Sequence, residues 1–326
     1  MEWLLAHTDL ILIAAAAFGF FMAWGVGAND VANAMGTSVG ARALTVKQAV
    51  MIAIVFEFAG AYLAGGEVTD TIRKGIIEPD VFTDIPHYLV YTMMASLLAA
   101  GIWLLVASAA GWPVSTTHSI IGAIVGCVAV GVSTDAVNWG KMGDIVTSWV
   151  TSPLLAGVIS FALIKSVQRL ILNDDDPFAR AKKFVPFYMF LTGFVIALVT
   201  VTKGLKHVGL HFSVLENLGI SFASGIVVAL IGAALLTRIK PDPEADKDFR
   251  FTSVERIFAV LMIFTACAMA FAHGSNDVAN AVGPVAAIYG VMQNTGAVIA
   301  KSQMPHWVLL IGAVGIVFGL ATLGAR

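Results

Sequence analysis

Apolar stretches of membrane length recur along the whole chain, separated by short segments that carry Pro, Gly or charge. After an opening stretch that includes Leu10 to Phe21, runs at 48–65, 88–110, 145–166, 185–202, 220–237, 253–272 and 306–323 each approach the roughly 20 residues a helix needs to cross a hydrocarbon core of about 30 Å. The pattern predicts an all-α polytopic membrane protein. The first stretch lacks the basic leader of a signal peptide and runs directly into polar residues, so it reads as an uncleaved span. Residues 111–132 do not fit the rule. They open with Gly111-Trp112-Pro113, continue with Ser115-Thr116-Thr117-His118 and end in the apolar Ile120 to Val132, which predicts a broken helix or a re-entrant hairpin. Irregular backbone at membrane depth is tolerated only where protein covers it or a cavity borders it.

The polar residues inside these stretches are duplicated. GANDVANAMG, Gly27 to Gly36, returns as GSNDVANAVG, Gly274 to Gly283, identical at eight of ten positions across 247 residues. The approach is repeated too, as Met22-Ala23-Trp24 and Met269-Ala270-Phe271. Such duplication predicts a transporter whose substrate lies at the repeat interface. It divides the chain into a first repeat at 1–170, central spans with charged linkers at 171–250, and a second repeat at 251–326.

Gly25, Gly27 and Gly274 are expected to let the backbone leave helical geometry at each motif, freeing peptide groups for a bound ion. Asn29 and Asp30, with Asn276 and Asp277, add hard oxygen ligands suited to Na+ or a shared proton, and carboxylates in an apolar setting mark an ion path. Asn and Asp also cap helices, so the residue types alone leave a structural role open. Glu57, mid-span, has the same two readings. Ser115, Thr116 and Thr117 follow a proline, and their hydroxyls and amides can converge on a tetrahedral oxyanion or bond back to the preceding turn. His273, which stands where the first copy has Val26, reads as a packed, hydrogen-bonded side chain.

Composition agrees with the membrane reading. Hydrophobic residues make up 58% of the chain and charged residues 12%, with a mean hydropathy of +0.87, far from the roughly 25% charged of soluble domains. A net charge of −2 gives no basis for nucleic-acid binding. Cys127 and Cys267 lie in apolar stretches without metal or redox spacing and read as small core residues. The charged linkers Asn173 to Lys183 and Arg238 to Arg250 are separated by two spans, so they share a side, and their Lys and Arg make that side cytoplasmic.

Taken together and in this order, GANDVANA, GWPVSTTHSIIGAIVG and AFAHGSNDVANAVGP resemble the inorganic phosphate transporter (PiT) family, in its bacterial permease form. The resemblance implies a secondary transporter of inorganic phosphate in the bacterial cytoplasmic membrane, coupled to Na+ or H+ and needing no other cofactor. It further implies inverted repeats and a homodimer. Asn29, Asp30, Asn33, Asn276, Asp277 and Asn280 fall in its signature motifs, Ser115, Thr116 and Thr117 in the hydroxyl motif that holds phosphate, and Glu57 at a membrane glutamate used in transport. We therefore assign Ser115, Thr116, Thr117, Asn33 and Asn280 to phosphate. Asn29, Asp30, Asn276, Asp277 and Glu57 are assigned to the coupling cation, with Na+ at Asp30 and Asp277. One departure stands out. The hydroxyl motif begins 88 residues beyond Gly27, and the same offset from Gly274 passes Arg326, so the second hydroxyl motif of the family is expected to be missing.

Charge arithmetic points to the coupling cation independently. An Asp about 4 Å from an anion costs roughly 4 kcal/mol at an effective dielectric of about 20 unless positive charge intervenes. Importing a divalent anion against about 100 mV costs about 4.6 kcal/mol, which two cations cancel and a third reverses. Hydrogen phosphate has a proton to donate to a carboxylate and sulfate has none, which ranks a sulfate or other oxyanion symporter second. An intramembrane phosphotransferase calls for Lys, Arg or a metal cluster near the motifs, and the sequence shows none there.

Overall fold

The computed structural model describes residues 1–66, 75–204, 212–249, 251–294, 296–298 and 305–324. A short helix α1 (Glu2–Ala6) leads into α2 (Thr8–Gly40) and α3 (Val46–Ala64), followed by α4 (Pro86–Ala110) and α5 (Thr116–Gly131). Then come α6 (Trp139–Val167), α7 (Pro177–Val199), α8 (Val214–Thr237), the short α9 (Pro243–Asp248), α10 (Thr252–Gln293) and α11 (His306–Thr322). Seven of these, α2, α3, α4, α6, α7, α8 and α10, are long and apolar enough to cross a membrane, and the protein is a multi-pass membrane protein. Every span expected from the sequence is a helix. Several start earlier than hydropathy indicates because polar caps set their first turns. Asn138 Oδ1 accepts from Lys141 N, Asp176 Oδ1 from Ala179 N, and Thr45–Gln48 and Ser213–Glu216 form reciprocal capping boxes.

Residues 111–115 break the chain where the sequence indicates. α4 stops at Gly111 in the left-handed region, φ 68°, where the Trp112 amide closes back on Ala107 O at 2.8 Å, and Pro113 cannot resume a helix. α5 then runs back along α4. Gly131 at its end lies against Thr92 near the start of α4, and residues 76–78 pair with 136–138 through Asn138 N to Ile76 O and Glu78 N to Ala136 O, both 2.9 Å. At 16 residues α5 is about 24 Å long, short of a bilayer core. The α4–α5 pair is thus a hairpin with its tip at 111–115.

The expectation that glycine would break the motif helices is overturned. α2 continues for 33 residues through Gly27 and α10 for 42 residues through Gly274. In both, the missing side chain serves helix contact instead: a methyl group at Gly27 would overlap Ile316 O of α11, and one at Gly274 would overlap Glu57 O of α3. Gly60 of α3 repeats this against Phe271 O, and Gly319 of α11 against Trp24 O. Lipid supplies no hydrophobic drive between helices, so such backbone approach is what holds spans together. Each motif helix therefore crosses the second helix of the other half, α2 with α11 and α10 with α3.

These four helices and the hairpin share one apolar core. A second core joins Ile171, Val185, Met189 and Leu236 to Val254 and Ile257 at the start of α10, with Phe178 and Ile239 packed on it, so the two charged linkers lie at one end of the molecule. Arg250, the last residue of the second linker, falls outside the described residues. α6 has no buried residue and presents Leu154, Leu155, Val158 and Phe161 outward. Cys127 and Cys267 are half-buried, not core, and Cys127 borders a cavity between α4 and α5.

Candidate functional site

Unbroken helices place the duplicated residues by rotation alone. Asp30 on α2 and Asp277 on α10 are both buried, at 6% and 8% exposure, and face a common cavity. The cavity, about 530 Å³, is also lined by Asn33, Pro113, Val114, Ser115, Thr116, Thr117 and His273. Its size is that of a small-ligand pocket. The hairpin tip supplies one wall, the two motif helices the others.

At the tip, Ser115 caps α5, its Oγ accepting from His118 N at 3.2 Å. The first-turn amides of Thr116 and Thr117 have no intrahelical acceptor, and the start of a helix is a partial positive charge. Thr116 Oγ1 donates to Asp30 Oδ2 at 2.8 Å, and Asn33 Nδ2 donates to Asp30 Oδ1 at 3.1 Å. From the opposite side Asn280 Nδ2 donates to Thr117 Oγ1 at 3.0 Å and Thr116 Oγ1 at 3.3 Å, with Asp277 Oδ1 at 3.5 Å. The two motif copies and the hydroxyl segment thus form one hydrogen-bonded set.

His273 occupies the centre. Its Nε2 is 2.8 Å from Asp277 Oδ2 and 3.8 Å from Asp30 Oδ2, and its Nδ1 is 3.2 Å from Glu57 Oε1. These contacts pair the imidazole with the carboxylates by charge and not by well-directed hydrogen bonds, which makes Glu57, His273, Asp30 and Asp277 one buried polar cluster. Ligand atoms of Asp30, His273 and Asp277 all lie within 4.8 Å of one another, and among the described residues no Lys or Arg lines the cavity. Two carboxylates at that separation repel by about 3 kcal/mol at an effective dielectric of about 20. The donor set is oxygen-rich and negative, which fits a small hard cation.

Most residues singled out from the sequence meet here. Asp30, Asp277, Asn33, Ser115, Thr116 and Thr117 line the cavity, Asn280 reaches it through Thr116 and Thr117, and Glu57 through His273. Two do not join them. Asn29 points toward α4 and the hairpin loop, and Asn276 is exposed, donating only to its neighbour Asp277 Oδ1 at 2.8 Å. His273, expected from the sequence to be a packed, hydrogen-bonded side chain, stands among three carboxylates, and its i, i+4 spacing from Asp277 puts both on one helix face.

The chain resembles known proteins over most of its length. Residues 26–326 match the family described as the Phosphate transporter family. A putative phosphate permease of Haemophilus influenzae is 46% identical over 329 residues, covering 100% of this chain and 77% of that protein. A putative phosphate permease of Pyrococcus abyssi is 46% identical over 308 residues, covering 94% and 74%. A solved structure titled "The sodium-dependent phosphate transporter" superposes with a TM-score of 0.88 at 38% identity, over 97% of this chain and 76% of that one.

Proposed function

Because this chain belongs to the phosphate transporter family, we propose that it is a secondary active symporter moving inorganic phosphate across the cell membrane together with Na+ or H+. The family is one of transporters, not enzymes. The observation that carries the proposal is the convergence of Asp30 and Asp277, one from each motif copy, on a cavity walled by the start of α5 and, among the described residues, lined by no Lys or Arg. An anion there meets hydroxyls and amides on one side and carboxylates on the other. It is held only if cations neutralise the carboxylates, since each uncompensated contact costs about 4 kcal/mol at about 4 Å.

The same contacts link the two ligands. Thr116 gives its only hydroxyl proton to Asp30, and Asn280 spends its amide on Thr116 and Thr117. A cation on Asp30 competes with that hydroxyl as a partner of the carboxylate and leaves Thr116 able to donate to phosphate. Hydrogen phosphate can itself donate to Asp277, which sulfate cannot. The crossing of each motif helix with the second helix of the other half supports an inverted-repeat organisation, with 1–170 and 251–326 as the repeats. A homodimer belongs to the same reading.

Labelled phosphate uptake into proteoliposomes, with Na+ and pH gradients imposed separately, tests the proposal. We expect accumulation driven by one of the two gradients and unaffected by excess sulfate. Uptake that never exceeds equilibrium, or that sulfate abolishes, would overturn it.

A further inference from the structure

Asn29 stands apart from the other motif residues. Successive helical positions point about 100° apart, and while Asp30 faces the central cavity, Asn29 faces the hairpin loop. It lines a separate cavity of about 800 Å³ together with Ser108, Trp112 and Pro113. Pro113 borders both cavities, so the backbone from Gly111 to Ser115 is a partition between them. Its Trp112 carbonyl and Val114 amide lie outside any helix and need partners. Asn29 supplies both: Nδ2 donates to Trp112 O at 3.1 Å and to Ser108 Oγ at 3.3 Å, and Oδ1 accepts from Val114 N at 3.2 Å. Both amide hydrogens are used, and the carbonyl oxygen accepts from Val114 on a face that borders the second cavity and not the central one.

We propose that Asn29 is a positioning residue for the anion and not a ligand of the coupling cation. Its bonds to Trp112 and Val114, braced by the third to Ser108 of α4, fix the loop that delivers Ser115, Thr116 and Thr117, so it sets the geometry of the hydroxyl wall from the far side of the partition. The inference deepens, and rests on, the phosphate reading above. The residue type follows from the task. Asp cannot donate to Trp112 O, Gln is one methylene too long for three simultaneous bonds, and Ala makes none.

The test uses the full-length protein purified in detergent. Equilibrium binding of labelled phosphate is measured at saturating coupling cation, and the cation midpoint is measured by thermal shift in phosphate-free buffer. Exchange of the Val114 amide is followed in parallel. Asn29→Ala and Asn29→Asp should weaken phosphate binding about 10-fold or more while the cation midpoint stays within about twofold, and Ser108→Ala, which removes one bond of three, about 3-fold. Asp30→Asn is the contrasting reference, moving the cation midpoint. Val114 exchange should accelerate about 10-fold in Asn29→Ala whatever the substrate is. A cation midpoint displaced in Asn29→Ala as it is in Asp30→Asn would overturn the proposal, as would unchanged phosphate affinity or unchanged Val114 exchange. If Asn29→Ala does not fold, Ser108→Ala decides by the same readouts. Failure of the wild type to bind phosphate strikes the transport reading instead, and Val114 exchange still tests the latch.

Discussion

The two copies of the Asn-Asp motif are near-identical in sequence and unlike in what surrounds them. In the first, Asn29 ties down the hairpin loop and Asp30 accepts from Thr116 and Asn33. In the second, Asn276 donates only to Asp277, and Asp277 pairs with His273 on its own helix, at a position that the first copy gives to the buried Val26. Asp30 therefore accepts directly from a hydroxyl of a neighbouring element, whereas Asp277 has a charge partner within its own helix and its motif reaches the hairpin hydroxyls through Asn280. Duplication fixed the carboxylates, and the packing around each copy decided how each carboxylate is satisfied. A single histidine between two aspartates is the consequence, because a second one at position 26 would face Val26's apolar neighbours in the core.

The strongest way to break the comparison is to remove one carboxylate at a time. Asp30→Asn and Asp277→Asn should each lower phosphate uptake by about 100-fold, the loss of a charge-assisted contact of nearly 3 kcal/mol, with thermal stability little changed. Uptake in proteoliposomes, with correctly inserted protein quantified, is the measure. Near-normal uptake in either variant would mean that only one copy works and that the symmetric reading of the cavity is wrong.

His273→Val imposes the first copy's residue on the second. It leaves Glu57, Asp30 and Asp277 as three buried acids without a basic partner, and breaking such a set costs about 3 kcal/mol of stability. A lowered thermal midpoint in detergent, with part of the loss recovered in the double variant His273→Val/Glu57→Gln, is the expected result. If the double variant is no more stable than the single, packing and not charge explains the residue.

How far the sequence revealed this arrangement depends on the kind of signal. The spans, the broken segment at 111–115 and the pair of aspartates were legible because apolar runs, Gly-Trp-Pro and a repeated decapeptide are local patterns. The helical continuity of α2 and α10 was not. Glycine carries two meanings, conformational freedom and closeness, and only the partner helix reveals which one is in use; Ile316 O and Glu57 O give that answer at Gly27 and Gly274. That the side chains of Asn29 and Asn276 lie away from the central cavity was hidden for a related reason. Adjacent residues on a continuous helix face different neighbours, so membership in a motif does not place a side chain in a site. His273 was underrated because its partners come from α2, α3 and α10, and only the last is near it in sequence.

The glycine crossings sharpen the comparison at the next level down, because here the two halves should behave alike. Gly27→Ala and Gly274→Ala each push a methyl group into a backbone carbonyl that cannot rotate away, and each should destabilise by about 1–3 kcal/mol. Gly36→Ala is the control in the same helix as Gly27: nothing lies within 4 Å of the added methyl, so Ala should be neutral or stabilise by up to about 1 kcal/mol. Thermal midpoints of the three variants in one detergent make the comparison. A mild effect at Gly27 beside a severe one at Gly274 would show that the α2–α11 crossing yields where the α10–α3 crossing does not.

The smallest effect is expected at Asn276, and it bears most directly on the asymmetry. Its amide contributes one exposed hydrogen bond to Asp277, whereas Asn29 makes two to the hairpin loop and a third to Ser108 of α4. Losing a single exposed bond to a charged acceptor is worth about 1 kcal/mol, so Asn276→Ala should weaken cation binding by about fivefold at most and leave Val114 exchange at the wild-type rate. If the variant instead lost phosphate binding as severely as Asn29→Ala, Asn276 would be holding a segment of its own during transport. The two copies would then differ only in the conformation described here, not in their roles through the cycle.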